Sequence, residues 1–241
     1  MVALVAGGCG IVGSGVVLAL VRAGAKCWVP ARHENKFDEL KKLIPATHHA
    51  QLGFVKADLA NENECQRVRD EILGKDKQLN HVVASIGGWR TNGPLSQVKV
   101  DDYRAALDSL TLPHFVLYNT FAKHLAQSPK STYTLVTGGS GDVKFFDPNA
   151  SLLPIGAGQL YGLYTSAMSE WRTNKNLSLI QYRVYTWVRK QADKELEAKK
   201  AQLELGHDYV GKFVPKLILK YKSEIYKLPT RSQGDKLFES L

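Results

Sequence analysis

Two stretches of the chain carry residue types and spacings suited to chemistry. In GGCGIVG, glycines stand at positions 7, 8, 10 and 13, and the Gly8-x-Gly10-x-x-Gly13 spacing lies between an apolar run and a helical pattern. Glycines allow a tight turn and bring backbone close to a pyrophosphate, and a helix N-terminus adds free N–H donors and partial positive charge. A dinucleotide is the ligand this arrangement fits; a glycine-rich turn without a ligand is the plainer alternative. Pro30, Ala31 and Arg32 follow the second apolar run, with no acid before Glu34. A carboxylate there would bond the ribose hydroxyls of NAD, whereas a guanidinium suits the extra phosphate of NADP, so NADP is expected over NAD. Cys9, inside the turn, reads as a small filler, although a helix N-terminus can lower a thiol pKa. The second stretch is YGLYTSAMSEW, with phenols at Tyr161 and Tyr164 and a threonine at 165.

The remaining candidates are thinner. His48 and His49 are adjacent and would point apart in extended chain. Cys9, Cys27 and Cys65 are widely spaced, with no Cys-x-x-Cys pair, so reduced thiols and no metal site are expected. Asp142 and Asp147 flank Lys144 in a long loop. They either line a substrate cleft beyond the strand ends or are simply solvated.

Short apolar runs alternate with helical patterns, which predicts parallel strands joined by helices. Strands are expected at Val2–Ala6, Lys26–Val29, Gly53–Ala57, His81–Ser85, Tyr133–Thr137, Leu177–Tyr185 and Glu224–Lys227. Helices are expected after the glycine loop to Gly24, over 34–43, 62–73 and 101–126 with a kink or break at Pro113, around 160–174, and over 189–205 and 207–219. A polar tail would follow the last strand. The fold class is therefore α/β: a Rossmann-like, doubly wound, mostly parallel seven-stranded sheet flanked by helices. Residues 1–241 form one dinucleotide-binding domain, with a lid segment at 186–212 that contains Trp187, Val188 and Arg189.

Taken in order, these features resemble the short-chain dehydrogenase/reductase family over about residues 2–190. The glycine loop, Arg32, Ala57-Asp58-Leu59, Ala84-Ser85-Ile86-Gly87-Gly88 and the tyrosine helix carry the resemblance. The 7, 10, 13 glycine spacing and Ile86-Gly87-Gly88-Trp89 are similar to dihydropteridine reductases. The resemblance implies that Gly7, Gly10, Ile11, Val12 and Gly13 wrap the pyrophosphate. It places Asp58 at the adenine with the Leu59 backbone beside it, and Ile86 and Gly87 along the adenosine ribose. Tyr161 matches the catalytic tyrosine. The catalytic serine falls on Gly139 or Ser140, with Ser140 the candidate oxyanion donor. Ser109 stands at the asparagine position, and Thr165 at that of the lysine. The family's usual dimer would pair the helices near 101–126 and 160–174, so a homo-oligomer, dimer or tetramer, is expected.

The missing lysine has a calculable consequence. A neighbouring cation favours tyrosinate, so its loss should raise the tyrosine pKa from near 10. A shift of a few units is worth a factor of roughly 10²–10⁴. Reduction suffers less than oxidation, because a protonated phenol is still an acid. An NADP-dependent reductase of a small carbonyl, imine or iminium-like substrate is therefore expected. The alternative is a non-redox NADP-binding protein, a sensor, scaffold or non-redox catalyst, that has lost the catalytic set.

Bulk numbers agree with a globular protein: 241 residues, 44% hydrophobic and 23% charged. The net charge of +9 is interleaved with acids beyond residue 170 and no nucleic-acid motif accompanies it, so a small-molecule partner rather than nucleic acid is expected. No apolar run approaches the ~20 residues of a membrane span. The strand-like run from Val2 leaves no room for a signal peptide, and a cytoplasmic protein is expected.

Overall fold

The computed structural model of the chain describes residues 1–88, 90–142, 147–189 and 204–241. Alternation of strands β1 (Val2–Ala6), β2 (Lys26–Ala31), β3 (Leu52–Lys56), β4 (His81–Ala84), β5 (Ser131–Gly138), β6 (Leu177–Val184) and β9 (Glu224–Leu228) with helices gives one seven-stranded sheet. Its order is β3-β2-β1-β4-β5-β6-β9, and every neighbouring pair is parallel. The order reverses between β1 and β4, where doubly wound sheets open their ligand crevice.

Period-two alternation divides the strands between two apolar layers. Val2, Leu4 and Ala6 enter one core with α3 (Glu62–Asp76), α5 (Leu112–Gln127) and α6 (Leu152–Glu170). Ala3 and Val5 enter the other with α1 (Ile11–Arg22), α2 (Asn35–Leu43) and α8 (Phe213–Leu219). β6 follows the same rule, then departs from it. Ile180, Tyr182 and Val184 face the second core, while the opposite face changes from Leu177 and Leu179 to Gln181 and Arg183 toward the strand's carboxyl end.

Several boundaries differ from the sequence expectation, each for a physical reason. β2 runs on through Pro30. Ala31 accepts from the Ala57 N–H on the β3 side, so Pro30 turns toward β1, whose pairing has ended at Trp28, and its missing N–H breaks no ladder. The helix expected over 101–126 is two helices, α4 (Val100–Leu110) and α5. They break at Thr111, and Pro113 sits in the first turn of α5, where a missing N–H costs nothing. α6 starts earlier than expected, at Leu152.

The expected polar tail is a helix, α9 (Arg231–Ser240). Its start is capped by the Thr230 hydroxyl on the Gln233 N–H at 3.3 Å, and its Leu237 and Phe238 lie on the second core. In the expected lid, β7 (Trp187–Arg189) and β8 (Glu204–Gly206) pair as a parallel ribbon, followed by α7 (His207–Gly211). Most of the helix expected over 189–205 lies outside the described residues. Among the described residues no helix is long and apolar enough to cross a membrane. His48 bonds Gln51 at 2.7 Å and His49 bonds the Ile44 carbonyl at 2.9 Å, which accounts for both as fasteners of a 3₁₀ turn.

Candidate active site

The glycine loop closes at the carboxyl end of β1. Gly7 has φ of 78°, a conformation natural to glycine, and its carbonyl accepts from the Gly10 N–H at 2.8 Å. A Cβ on Gly7 would stand 2.2 Å from the Ser85 carbonyl oxygen, and one on Gly13 would stand 2.1 Å from that of Gly7. The loop is thus folded as tightly as backbone allows and pressed against the end of β4. Gly10 and Ile11 are exposed at its mouth, with Val12 half-buried behind them. α1 has no side-chain cap and no acid in its first turn, so its first N–H groups are free for an anion.

Arg32 is exposed just past β2 and forms no ion pair among the described residues. Asp58 follows β3; it accepts from the Ala60 N–H at 3.1 Å, while its own N–H donates to Glu64, and Leu59 is buried. Ile86 and Gly87 lie past β4, with Gly87 open to solvent at φ 148°. The adjacent β1, β2, β3 and β4 ends thus bring every cofactor residue expected from the sequence to one edge of the sheet. Trp89 lies outside the described residues.

Tyr161 stands half-buried on α6 and is held on three sides by the loop after β5 and by β6. Its hydroxyl donates to the Gly138 carbonyl at 2.7 Å. Its ring edge lies against Gly141, where a Cβ would meet it at 2.7 Å. The Arg183 guanidinium stacks on its face, 3.6 Å from the ring centroid. Burial pushes the Tyr161 phenol up, the Asp142 charge pushes it further and Arg183 opposes both, leaving it at about 12. It is therefore a proton donor across the neutral range.

The other expectations sort themselves around this tyrosine. Tyr164, the second phenol of that stretch, is buried and donates to the Leu179 carbonyl at 3.2 Å, which makes it a core residue. Of the two serine positions, Gly139 admits no side chain: a Cβ there would stand 2.2 Å from the Tyr185 ring. Ser140 is the remaining hydroxyl, half-buried, with its Oγ 3.9 Å from where a Gly138 Cβ would stand. Ser109 folds its hydroxyl back onto the Ala105 carbonyl at 2.8 Å, and Thr165 folds its own onto the Tyr161 carbonyl at 3.0 Å. Neither replaces the asparagine or the lysine in kind. Lys144 lies outside the described residues, as does most of the expected lid.

Arg183 and His114 escaped the sequence reading, and Asp142 was left there between cleft and solvent. Register sets Thr137, Arg183 and Lys227 side by side on β5, β6 and β9. Asp142 Oδ2 then accepts from Arg183 at 2.6 Å, Tyr185 at 2.7 Å and Lys227 at 3.0 Å. Burial raises this carboxyl, but those three donors outweigh it and hold it below the usual carboxylate range. His114, wholly buried in α5, donates from Nε2 to the Ile86 carbonyl at 2.8 Å, while its Nδ1 has no partner among the described residues. A readable signal existed for one of them: Gln181 and Arg183 interrupt an otherwise apolar strand, LSLIQYRV, and polar residues in a buried strand call for a partner.

Comparison with known proteins bears on the family and the fold. The family model described as short chain dehydrogenase matches residues 1–146. The chain is 31% identical over 199 residues to the short-chain dehydrogenase/reductase iacG of Pestalotiopsis fici, covering 81% of this chain and 78% of that protein. Among solved structures, ElxO with NADP bound superposes with a TM-score of 0.80 at 16% identity, over 94% of this chain and 96% of its own. An alcohol dehydrogenase of the archaeon Thermococcus sibiricus, complexed with 5-hydroxy-NADP, gives 0.77 at 15% identity, over 94% and 95%. With a family match across more than half of its length and a relative this similar, the chain belongs to the short-chain dehydrogenase/reductase family.

Proposed function

We propose that this oxidoreductase uses NADPH to reduce a small carbonyl, imine or iminium-like substrate, with Tyr161 as the proton donor. The observation that carries the reading is the phenol of Tyr161, protonated and aimed from α6 at the carboxyl ends of the strands, beside a glycine loop built for a pyrophosphate. The residues fit the cofactor: Gly7, Gly10, Ile11, Val12 and Gly13 would hold the pyrophosphate, and Arg32 the 2′-phosphate. Asp58 and Leu59 would meet the adenine, and Ile86 and Gly87 the adenosine ribose. The NADP named with the structural neighbours supports the choice. When bound, that cofactor would supply hydride for the substrate carbon. For a carbonyl or neutral imine, Tyr161 would give its hydroxyl proton, now donated to Gly138, to the substrate oxygen or nitrogen, with Ser140 offering that atom a second hydrogen bond; an iminium carbon takes hydride with no proton required. The enzyme acts as a homo-oligomer in the cytoplasm.

A second reading, a non-redox NADP-binding protein, is favoured by one observation. Thr165 is exposed and turned back on its own helix, so α6 presents no cation to the phenol. Nicotinamide-fluorescence titration followed by turnover on aldehydes, ketones, quinones and cyclic iminium ions separates the two. NADPH binding with turnover lost in Tyr161→Phe supports the reductase; binding with no turnover on the whole panel supports the second reading. Arg32→Glu should weaken NADPH by about 10–100-fold, the worth of a charge-assisted phosphate contact of roughly 1.5–3 kcal/mol, and should weaken NADH far less. Unchanged NADPH affinity would remove the assignment of Arg32.

A further inference from the structure

We propose that Arg183 and Asp142 together take the lysine's place: Arg183 orients the Tyr161 ring from β6, and Asp142 cancels the charge it brings, so that Tyr161 is kept as an acid. The inference rests on Tyr161 being the proton donor, and it adds two positioning residues that neither the glycine loop nor the tyrosine motif contains.

The geometry is specific. Arg183 is 9% exposed, and its guanidinium makes four commitments at once. Nε and one terminal nitrogen donate to Gln181 Oε1 at 3.1 and 2.8 Å, the other terminal nitrogen donates to Asp142 at 2.6 Å, and the plane lies on the Tyr161 ring. A planar fork fixed at its edge by two acceptors holds the aromatic face it covers, which a flexible ammonium would not do. Asp142 has no freedom to leave, because Tyr185 and Lys227 hold the same oxygen.

The electrostatic part follows from which charges face the ring. A cation on the ring face stabilises the phenolate more than the phenol, and an anion nearby does the reverse. The charged and titratable groups facing Tyr161 among the described residues are Arg183 from β6, Asp142 from the loop after β5 and Tyr185 after β6. Lys227 from β9 reaches the cluster through Asp142 and Tyr185, and the Gly141 N–H favours the ionised form. Asp142 opposes Arg183 at the phenol, so the pair keeps the ring-fixing part of a cationic partner while offsetting its acidifying part. Such a site suits proton delivery to a forming alkoxide or amine and disfavours the reverse abstraction from an alcohol.

The test replaces Tyr161 alone with 3,5-difluorotyrosine in the full chain. The ring fluorines report ionisation by ¹⁹F shift, and the more acidic phenol titrates while the chain stays folded. No substrate is needed. In Arg183→Gln the midpoint should rise by about one unit or more, and in Asp142→Asn it should fall by a similar amount, each unit being a tenfold change in the ionisation constant. The double variant should lie between them, and Arg183→Lys should keep the charge effect while broadening the ring signal. If Arg183→Gln does not fold, adding it to Asp142→Asn must still raise the midpoint. Midpoints that stay fixed, or that move the same way in both single variants, overturn the inference. Turnover retained in Tyr161→Phe would instead overturn the proton-donor assignment on which it stands.

Discussion

His81 and His114 show how single buried residues tie protonation to stability. His81 bonds the Thr132 hydroxyl at 3.0 Å between β4 and β5, and His114 bonds Ile86, the residue that leads into Gly87. Burial lowers both from 6.5 to about 4; the Met1 amino charge adds to the effect at His81, and the Ile86 bond opposes it at His114. The folded chain thus holds both neutral, while the unfolded chain binds a proton on each below about 6.5. Stability is present above that pH and drains away as the pH falls toward 4, by on the order of 1–3 kcal/mol per histidine. Urea midpoints measured from pH 7.5 to 4.5 should fall steadily, and His81→Gln with His114→Gln should flatten the slope. Glutamine keeps a donor for the Ile86 carbonyl, so NADPH affinity in His114→Gln should change little. An equal slope in wild type and double variant would show that other groups govern acid stability.

At the scale of elements, the placement of α1 depends on two glycines that no cofactor motif explains. A Cβ on Gly15 would stand 1.8 Å from the His207 carbonyl oxygen, and one on Gly211 would stand 2.1 Å from the carbonyl of Gly15. α1 and α7 therefore cross backbone to backbone, and the segment after the ribbon is seated on the helix whose start forms the cofactor loop. Alanine normally stabilises a helix over glycine by about 1 kcal/mol, and Gly74→Ala in α3, with nothing within 4 Å of its Cβ, should do so. Gly15→Ala should have the opposite sign, costing roughly 1–3 kcal/mol or more and weakening NADPH as the loop shifts. A stabilised Gly15→Ala would refute the crossing. These contacts also mark where the sequence stops being legible. The strand–loop–helix start and Arg32 are local patterns that spacing alone picks out, whereas Asp58 and Tyr161 stood out only through the family resemblance. Arg183 on Tyr161, Asp142 on Arg183 and His114 at Ile86 are contacts between segments far apart in the chain, which no local period encodes. α9 was misread as a tail because its apolar contact rests on Leu237 and Phe238 at the end of a polar run.

For the whole molecule, the unresolved balance is an apolar face on a chain of net charge +9. Along α4, α5 and α6, a groove of about 380 Å³ is bordered by Leu107, Leu112, Phe115, Leu160 and Leu163, with Asp108, Thr111 and Gln159 among them. Leu112 and Phe115 are 39% and 54% exposed. Apolar rings left at a surface in this way mark an interaction face, and a self-complementary face serves a two-fold pair most simply. A homo-oligomer of the proposed kind would bury this groove and Phe115 with it. Glutamate at 115 would desolvate a charge there on association, so Phe115→Glu should shift the sedimentation profile from dimer or tetramer toward monomer. The same α6 carries Leu160 and Leu163 to the groove and Tyr161 to Arg183. Dissociation should thus loosen the tyrosine while leaving the distant glycine loop intact: turnover should fall and NADPH affinity should hold. A wild-type chain that sediments as a monomer at every concentration would overturn the pairing, and a monomeric Phe115→Glu with full turnover would sever the groove from the site.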